Sequence, residues 1–495
     1  MEILRPGYLS LQKAAGEIGF LMTCFDVKSL RCFVFAMLIG WISGCASVDS
    51  KVVMQRVSDK TESFAQTGYQ LPNDDQQKSL NEARVDELIK NEVDQNAAVN
   101  IALLNSPDLH ALVADAMADM AIAAQGGRMS NPQFAFERMS TPGELELARA
   151  ISFGLLDLVT LPRRQQVAKA QVGLVEQRMI GAISRHITQV RQAWVRAVTA
   201  QELRQYAQKV LTSAEASAEL ARRMEAAGNF NRLDRAREQA FYADAATSLA
   251  LASHEVVASR EVLNRLLGLT ESQSQVMRLT SRLPDIPEMP RDTQAVGQEF
   301  FLSRIDVQLA KVRLDAASQA QGLNLVTSWS DVELTAIYKT KFADGARTNP
   351  DGFEVGIVLP IFDWGDLKRD AMNARTLAAA NAMEATVRNA GSELRQTYSA
   401  YLTAHDIAKH YQTEVVPLRK LISEENLLRY NGMIIGVFEL LADARDQVAT
   451  IMSAIRSKEQ FWLADAALLS SIAGSPVDIS LSTVGSVAGS EAKGH

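Results

Sequence analysis

The feature that most constrains the fold is an internal repeat with a unit of about 190 residues. The stretch LLNSPDLHALVADAMADMAIAAQ, which begins at Leu103, matches FLSRIDVQLAKVRLDAASQAQ, which begins at Phe301. The match aligns Asp108 with Asp306. The sequence therefore predicts a tandem duplication. Later correspondences pair Ser152 with Gly356 and Gly228 with Gly432, and the two predicted repeats span residues 98–283 and 291–474.

Each repeat contains a pair of predicted strands with one apolar face. In repeat 1, Leu147 and Phe153 belong to an apolar set at odd positions, while small or polar residues fill the even positions. In repeat 2, Val355 and Ile357 continue the same alternation. A period of two is the signal of a strand with unlike faces. The predicted strands lie near residues 131–159 in repeat 1 and near residues 325–362 in repeat 2.

Long helical hairpins are predicted after the strands, at residues 163–268 and 366–474. No proline occurs from Arg163 to Leu283, and apolar residues recur there at spacings of three and four. A continuous helix from Arg163 to Ala227 would be roughly 100 Å long, at about 1.5 Å per residue. A helix of this length needs neighbours along its surface, so we expect a bundle or coiled coil.

Each hairpin is predicted to turn at a glycine, Gly228 in the first and Gly432 in the second. Glycine reaches left-handed backbone conformations at low cost, so we expect Gly432 to turn the second hairpin in that conformation. Gly436 is expected to add backbone flexibility to this turn. The apolar residues between and after these glycines, such as Met433 and Phe438, form either a docking surface or a contact with the neighbouring tip.

The apolar strand faces point to a membrane. Leu147, Phe153, Val355 and Ile357 are predicted to face lipid, while the small and polar face would line a wet lumen. Open sheet edges are excluded from the hydrocarbon core because their backbone groups would lack partners. Known transmembrane barrels begin at about eight strands, so the four predicted strands must be joined by those of further copies.

The N-terminus is predicted to be a targeting segment, residues 1–44. The stretch DVKSLRCFVFAMLIGWISGCAS has a basic start, a short apolar run and the ending ISGC at Cys45. The run is too short to span a bilayer, which favours a cleaved signal. The ending resembles a bacterial lipoprotein box, which would make Cys45 the lipidated first residue; the alternative is an ordinary signal with an incidental cysteine. Residues 1–21 fit neither kind of signal and are interpreted as extra sequence upstream of a translation start at Met22.

Two further segments flank the repeats. Residues 45–97 are polar and are expected to form a lipid-anchored tether, extended with short helix. The tail, residues 475–495, is rich in Gly, Ser and Ala and is expected to be disordered. Once the signal is removed, Cys45 is the only cysteine that remains, so the mature chain has no internal disulfide.

Several classes of function are excluded by what the sequence lacks. The net charge of −7, without a long basic block, gives no electrostatic case for nucleic acid. No nucleophile elbow, phosphate loop or HExxH motif is present, so we predict neither an enzyme nor a cofactor. His110, Met117 and Met120 could form a soft metal track, but such methionines are more often core residues, and we predict no metal site.

These features together resemble the TolC-like outer-membrane efflux family, over about residues 98–474. The order and spacing of the elements and the duplication carry the resemblance, and several short stretches add to it. These stretches are the Asn131-Pro132 strand opening, LPIFDWGD at residues 359–366, the tip sequences AGNFNRLD at residues 227–234 and NGMIIGVFELL at residues 431–441, and the helix ends LLGL at residues 266–269 and SIAG at residues 471–474.

The resemblance implies a fold that is mainly α with a β-barrel: a homotrimer whose twelve-stranded outer-membrane barrel continues as a long periplasmic α-helical tunnel. It implies passive export as the exit duct of a tripartite system, with a periplasmic adaptor and an inner-membrane pump as partners. The exported solute, whether an organic compound such as a drug or a metal ion such as copper, stays open. The competing interpretation is a periplasmic coiled-coil scaffold or adaptor, which would not need two amphipathic strand hairpins.

In the family, the tips of the helical hairpins close the tunnel and meet the adaptor. Some members carry aspartates at the second tip, whereas Phe438 and Leu441 occupy those positions here and favour a hydrophobic constriction over an acidic gate. The candidate tip residues are Gly228, Asp234, Gly432, Met433, Gly436, Phe438, Glu439 and Leu441.

Overall fold

The computed structural model describes residues 50–65, 75–292, 304–328 and 331–475. The predicted signal segment, Cys45 and all but the first residue of the predicted tail lie outside these ranges. The described chain is mainly helical and contains one antiparallel sheet, as the sequence predicts. The helices are α1 Ser50–Ala65, α2 Asp75–Lys90, α3 Gln95–Asn105, α4 Pro107–Gln125, α5 Leu155–Ala226, α6 Arg232–Leu267, α7 Glu271–Val276, α8 Ile305–Thr327, α9 Asp366–His410, α10 Val416–Asn431 and α11 Val437–Ala473.

The first helical hairpin consists of α5 and α6. At 72 residues, α5 is about 108 Å long at 1.5 Å per residue. It begins at Leu155, eight residues before the predicted start, and contains Pro162. The prediction was wrong there because a proline near the start of so long a helix removes only one backbone hydrogen bond. The returning helix α6 ends at Gly268, which adopts the left-handed conformation.

The second helical hairpin runs down through α9 and α10 and returns as α11. A π-helical turn, Tyr411–Val415, joins α9 to α10 directly before Pro417. Proline has no N–H to donate, and a π-turn is one way for a helix to accommodate that loss. No helix in the described ranges combines the length and the apolar character needed to cross a membrane.

The main sheet has the strand order β2–β3–β5–β7, with all neighbours antiparallel and β6 paired to the end of β5. A two-residue turn joins β2 to β3 through Pro142 and Gly143, whose φ is +92°. The outer edges of β2 and β7 have no strand partner within the described residues. The strands are β1 Glu92–Val93, β2 Gln133–Thr141, β3 Glu144–Gly154, β4 Arg278–Leu279, β5 Val332–Ala343, β6 Ala346–Thr348 and β7 Asp351–Ile357.

The largest core lies where the N-terminal helices, α3 to α6 and the parallel β1–β4 bridge meet. Trp194 is buried there, and its indole N–H donates to the Val93 carbonyl over 2.9 Å. The segment predicted as an extended tether with short helix is more helical than expected, because it forms α1 and α2. Val57 and Val85 are fully buried in this core, so a few apolar residues fix these otherwise polar helices in place.

Candidate functional site: the tips of the helical hairpins

The first tip, residues 227–231, closes by a Schellman motif. Gly228 has φ +77° and donates to the Glu225 carbonyl over 2.9 Å, while Asn229 donates to the Met224 carbonyl over 2.9 Å. Nothing within 4 Å would meet a Cβ at Gly228. The prediction that Gly228 turns this hairpin is therefore correct for the backbone. A side chain at this position would meet no steric clash and would be disfavoured only by the positive φ.

The first tip then opens α6 with a side-chain cap. Asn231 accepts a hydrogen bond from the Asp234 N–H over 2.8 Å. The Asp234 carboxylate lies in the first helical turn, where the helix dipole favours negative charge, and accepts from Arg237 over 3.4 Å. Arg235 contacts Glu225 at 2.5 Å, which ties the end of α5 to the start of α6.

The second tip, residues 432–436, uses the same motif with a different residue at its left-handed position. Met433 donates to the Tyr430 carbonyl and Ile434 to the Arg429 carbonyl, each over 2.9 Å. Met433 has φ +59°, whereas Gly432 has φ −79°. The prediction that Gly432 supplies the left-handed conformation was wrong, because the hydrogen bonds of the helix end place that conformation one residue later.

After this turn, Gly436 precedes α11 with extended backbone and makes no side-chain cap. Phe438 follows and stacks on Phe230 of the first tip, with ring centroids 4.3 Å apart and planes inclined by 17°. Phe230 is 8% exposed and Phe438 is 39% exposed. The two tips of one chain therefore contact each other through aromatic rings, one of the two roles expected for this apolar stretch.

Two apolar side chains of the second tip are largely exposed to solvent. Met433 is 93% exposed and Ile434 is 75% exposed. Glu439 is also exposed. Met433 combines a strained backbone conformation with a solvent-facing apolar side chain, a combination that costs stability and is often found at functional positions.

Behind the tips, ion pairs join the helices. Glu238 of α6 is 2% exposed in its side chain and pairs with Arg445 of α11. Arg445 also lies over the Phe241 ring, 5.0 Å from its centroid. Arg419 of α10 pairs with Asp446 at 2.5 Å and with the buried Asp443 at 3.6 Å.

The Glu238–Arg445 pair was not predicted from the sequence, because its members are 207 positions apart. No local spacing connects them.

Farther from the tip along the first hairpin, hydrogen bonds from Arg222 and then Arg223 lower the pKa of the exposed Glu219 to about 2.

A small cavity of about 220 Å³ lies between α5, α6 and α11. Glu238 and Leu441 line it, together with Tyr206 and Phe241. Glu238 Oε2 is buried and has no hydrogen-bond partner among the described residues. Leu441, predicted as a gate position, therefore packs between the two hairpins of its own chain.

The sheet carries the second set of predicted residues. Phe153 lies opposite Leu334, and Leu334 lies opposite Val355, so these three side chains share one face. Leu147 and Ile357 follow at even offsets on the same face, called the apolar face below. On the other face, Glu146 pairs with Lys339 at 2.9 Å and with Lys341 at 3.0 Å. The strand phase predicted from the alternation is correct for all four predicted lipid-facing residues.

The residues weighed for metal binding lie elsewhere. Met120 is 2% exposed and belongs to the main core, with Met117 packed against it. Burial lowers the pKa of His110. Within the described ranges, no group of three His, Cys, Asp or Glu side chains is arranged to hold a metal ion.

This chain is similar to known proteins in structure rather than in sequence. The Campylobacter jejuni CmeC outer membrane channel matches at 16% identity and a TM-score of 0.66, covering 77% of this chain and 86% of that one. The Vibrio cholerae outer membrane protein VceC matches at 16% identity and 0.62, covering 77% and 96%. The open-state Neisseria gonorrhoeae MtrE outer membrane channel matches at 19% identity and 0.61, covering 79% and 89%.

No family model matches the sequence, and no curated protein sequence matches it significantly. At identities of 16–19% the structural likeness establishes the fold. The predicted resemblance to TolC-like outer-membrane channels is thereby confirmed for the fold of the chain, which is mainly helical with a small antiparallel sheet.

Proposed function

We propose that this chain forms the outer-membrane exit duct of an efflux system. The observation that carries the proposal is a sheet with one apolar face and two edges that have no strand partner among the described residues, joined to a helix about 108 Å long. An apolar sheet face is costly in water, and open edges are costly in lipid, so both features call for further copies of the sheet in a bilayer. The fold shared with outer-membrane channels supports the same conclusion.

The proposed assembly is a homotrimer. Three copies of β2, β3, β5 and β7 would give a barrel of twelve strands, in which β7 of one copy pairs with β2 of the next. The apolar face would contact outer-membrane lipid, and the Glu146–Lys339 side would line the bore. The helical hairpins would extend into the periplasm and carry solutes, such as drugs or metal ions, passively from a pump and adaptor.

The lipid-facing role of the apolar face is tested by charge substitution. Leu147→Arg should cost about 2–4 kcal/mol if the side chain lies near the bilayer midplane. Ser152→Arg, on the opposite face of the same strand, is the matched control and should assemble. The readout is the heat-resistant trimer on SDS gels of the outer-membrane fraction. Equal assembly of both variants would refute the face assignment, and a wild-type chain found in the soluble periplasm would favour the scaffold alternative.

The anchor is proposed from the sequence, since Cys45 lies outside the described residues. Cys45→Ser should block lipidation and leave the signal unprocessed or poorly processed. Labelled palmitate followed by mass spectrometry of the mature protein is the measurement. An unmodified Cys45 at the mature N-terminus would refute the lipoprotein proposal and leave the duct proposal standing.

The tips are proposed to meet a periplasmic adaptor, through the exposed Met433 and Ile434. Phe438→Asp should separate the stacked tips and weaken crosslinking from this surface to the adaptor, because it replaces one ring of the stack with a charge against the Phe230 ring. In vivo crosslinking from position 434 measures this effect. Glu439→Asp, a conservative change at an exposed neighbour, should leave the crosslink unchanged.

A further inference from the structure

A second concave site lies far from the tips along α5 and α11, in the region where the two halves of the chain meet. It is a cleft of about 530 Å³, within the size range of small-molecule sites. One wall is formed by residues 94–96 at the start of α3, and another by residues 280–285 of the connector between the halves. Trp194 of α5 and Trp462 of α11 complete the lining.

The aromatic part of the cleft is held rigidly. The Trp194 indole N–H donates to the Val93 carbonyl at 2.9 Å, and the Trp462 indole N–H donates to the Pro284 carbonyl at 3.1 Å. Trp194 is buried, whereas Trp462 stays partly exposed. Leu283, 1% exposed, anchors the connector between them. A fixed indole ring offers an apolar plane without the entropic cost of ordering it on binding.

The polar part of the cleft is also preorganised. Asp94 accepts from the Ala97 N–H over 2.7 Å, which fixes its carboxylate. Asp285 pairs with Lys458 at 3.0 Å, and that hydrogen bond lowers the pKa of Asp285. Thr280 Oγ1 is buried without a hydrogen-bond partner in the described part of the chain. A buried hydroxyl without a partner carries a desolvation cost that a suitable ligand would relieve.

The charged side chains and hydrogen-bond donors of the cleft indicate which class of ligand fits it. Asp94, Asp285 and Arg282 line the cleft, and Lys458, outside the lining, pairs with Asp285, so the lining has no excess of positive charge to attract an anion. A phosphate or carboxylate would meet two carboxylates at the rim, and a lipid tail would leave the polar side chains unpaired. Carboxylate, amide, hydroxyl and guanidinium groups together offer acceptors and donors in one place.

From this juxtaposition we propose that the cleft binds a neutral saccharide. A pyranose ring has an apolar face of C–H groups, which would lie on Trp462, and a rim of hydroxyls that both donate and accept. Asp94 and Asp285 would accept from those hydroxyls, and Arg282, Asn96 and Thr280 would complete the rim. The proposal goes beyond the export role and does not rest on it, since it concerns a property of the folded chain alone.

The test uses the full chain in detergent and isothermal titration calorimetry. The probes are two neutral tetrasaccharides, tetra-N-acetylchitotetraose and maltotetraose, with inorganic phosphate as the charged comparison. We expect saturable binding of at least one tetrasaccharide near one site per chain, and no binding of phosphate. Arg282→Ala should weaken that binding about ten-fold or more, the loss of a hydrogen bond from a charged group.

Matched controls make the result decisive. Arg278→Ala removes an exposed arginine of β4 that does not line the cleft, and should leave the affinity unchanged. Trp462→Phe keeps a ring but shrinks the apolar plane, and should weaken binding while thermal unfolding stays close to wild type. The proposal is overturned if neither tetrasaccharide binds, if phosphate competes for the cleft, or if the two arginine variants lose affinity equally.

Discussion

The two hairpin tips close the same helical turn with different residues at its left-handed position. Both tips form the paired hydrogen bonds of a Schellman motif, but Gly228 carries the positive φ in the first and Met433 in the second. The first tip also has the Asn231 cap, whereas the second enters α11 at Gly436 without one. The first tip is therefore built for stability, and the second gives up stability to present an apolar side chain.

The largest effect is expected where the second hairpin is joined to the first. Arg445→Met leaves the Glu238 carboxylate buried without its partner and should cost about 3 kcal/mol. Arg223→Met removes the same kind of side chain from an exposed, solvent-screened pair with Glu219 and should cost much less. Chemical unfolding followed by circular dichroism compares them. Similar losses would mean that the Glu238 pair does not hold the hairpins together.

The next largest effect is a difference in stability between alanine variants of Gly228 and Gly432, two glycines that the sequence suggests are equivalent. Gly228→Ala should cost about 1–2 kcal/mol, because φ is positive there. Gly432→Ala should be neutral or stabilise by about 0.4–1 kcal/mol, since a Cβ would lie 3.5 Å from the Leu428 carbonyl oxygen, an ordinary contact. Unfolding free energies of the two variants are the measurement. A reversed order would contradict the assignment of the left-handed positions.

The contact between the tips is expected to contribute a smaller amount. A double-mutant cycle of Phe230→Leu and Phe438→Leu should give a coupling energy of about 0.5–1.5 kcal/mol, as for other stacked aromatic pairs. A cycle of Phe230→Leu with Leu418→Ala, an exposed residue of α10, serves as the uncoupled control. Coupling near zero in the first cycle would show that the rings do not hold the tips together.

The smallest expected effect concerns Met433. Met433→Gly should relieve about 1–2 kcal/mol of backbone strain and lose about 0.4–1 kcal/mol to the entropy of the unfolded chain, a net gain of roughly 0.5–1 kcal/mol. Met433→Leu should give no gain, because it keeps the strain. The same Met433→Gly variant should weaken adaptor crosslinking. Increased stability with unchanged crosslinking would mean that the exposed side chain has no docking role.

Much of the fold could be predicted from local pattern. Alternation placed Leu147 and Val355 on one face because a strand has a period of two, and the structure agrees. The long helices followed from three-and-four spacing. The early start of α5 was missed because Pro162 suggested a boundary, and the extent of α1 and α2 was underestimated because only a few of their residues, such as Val57, are buried.

The candidate site was less predictable because its decisive features are not local. The Phe230–Phe438 stack and the Glu238–Arg445 pair each join residues about two hundred positions apart. The left-handed residue of the second tip is fixed by where helix α10 makes its last hydrogen bonds, and a glycine one position earlier drew the prediction to the wrong residue. A sequence pattern alone gives the region of the turn but not its register.

The central claim is that this chain forms a duct whose hairpin tips, joined within each chain, restrict it. Single-channel conductance in planar bilayers tests this most directly, on wild type and on a variant that combines Arg445→Met with Phe438→Ala. We expect wild type to insert with a small conductance and the variant, with its tips released, to conduct several-fold more. Insertion with equal conductance in both would contradict the role of the tips, and no conductance from either would contradict the duct itself.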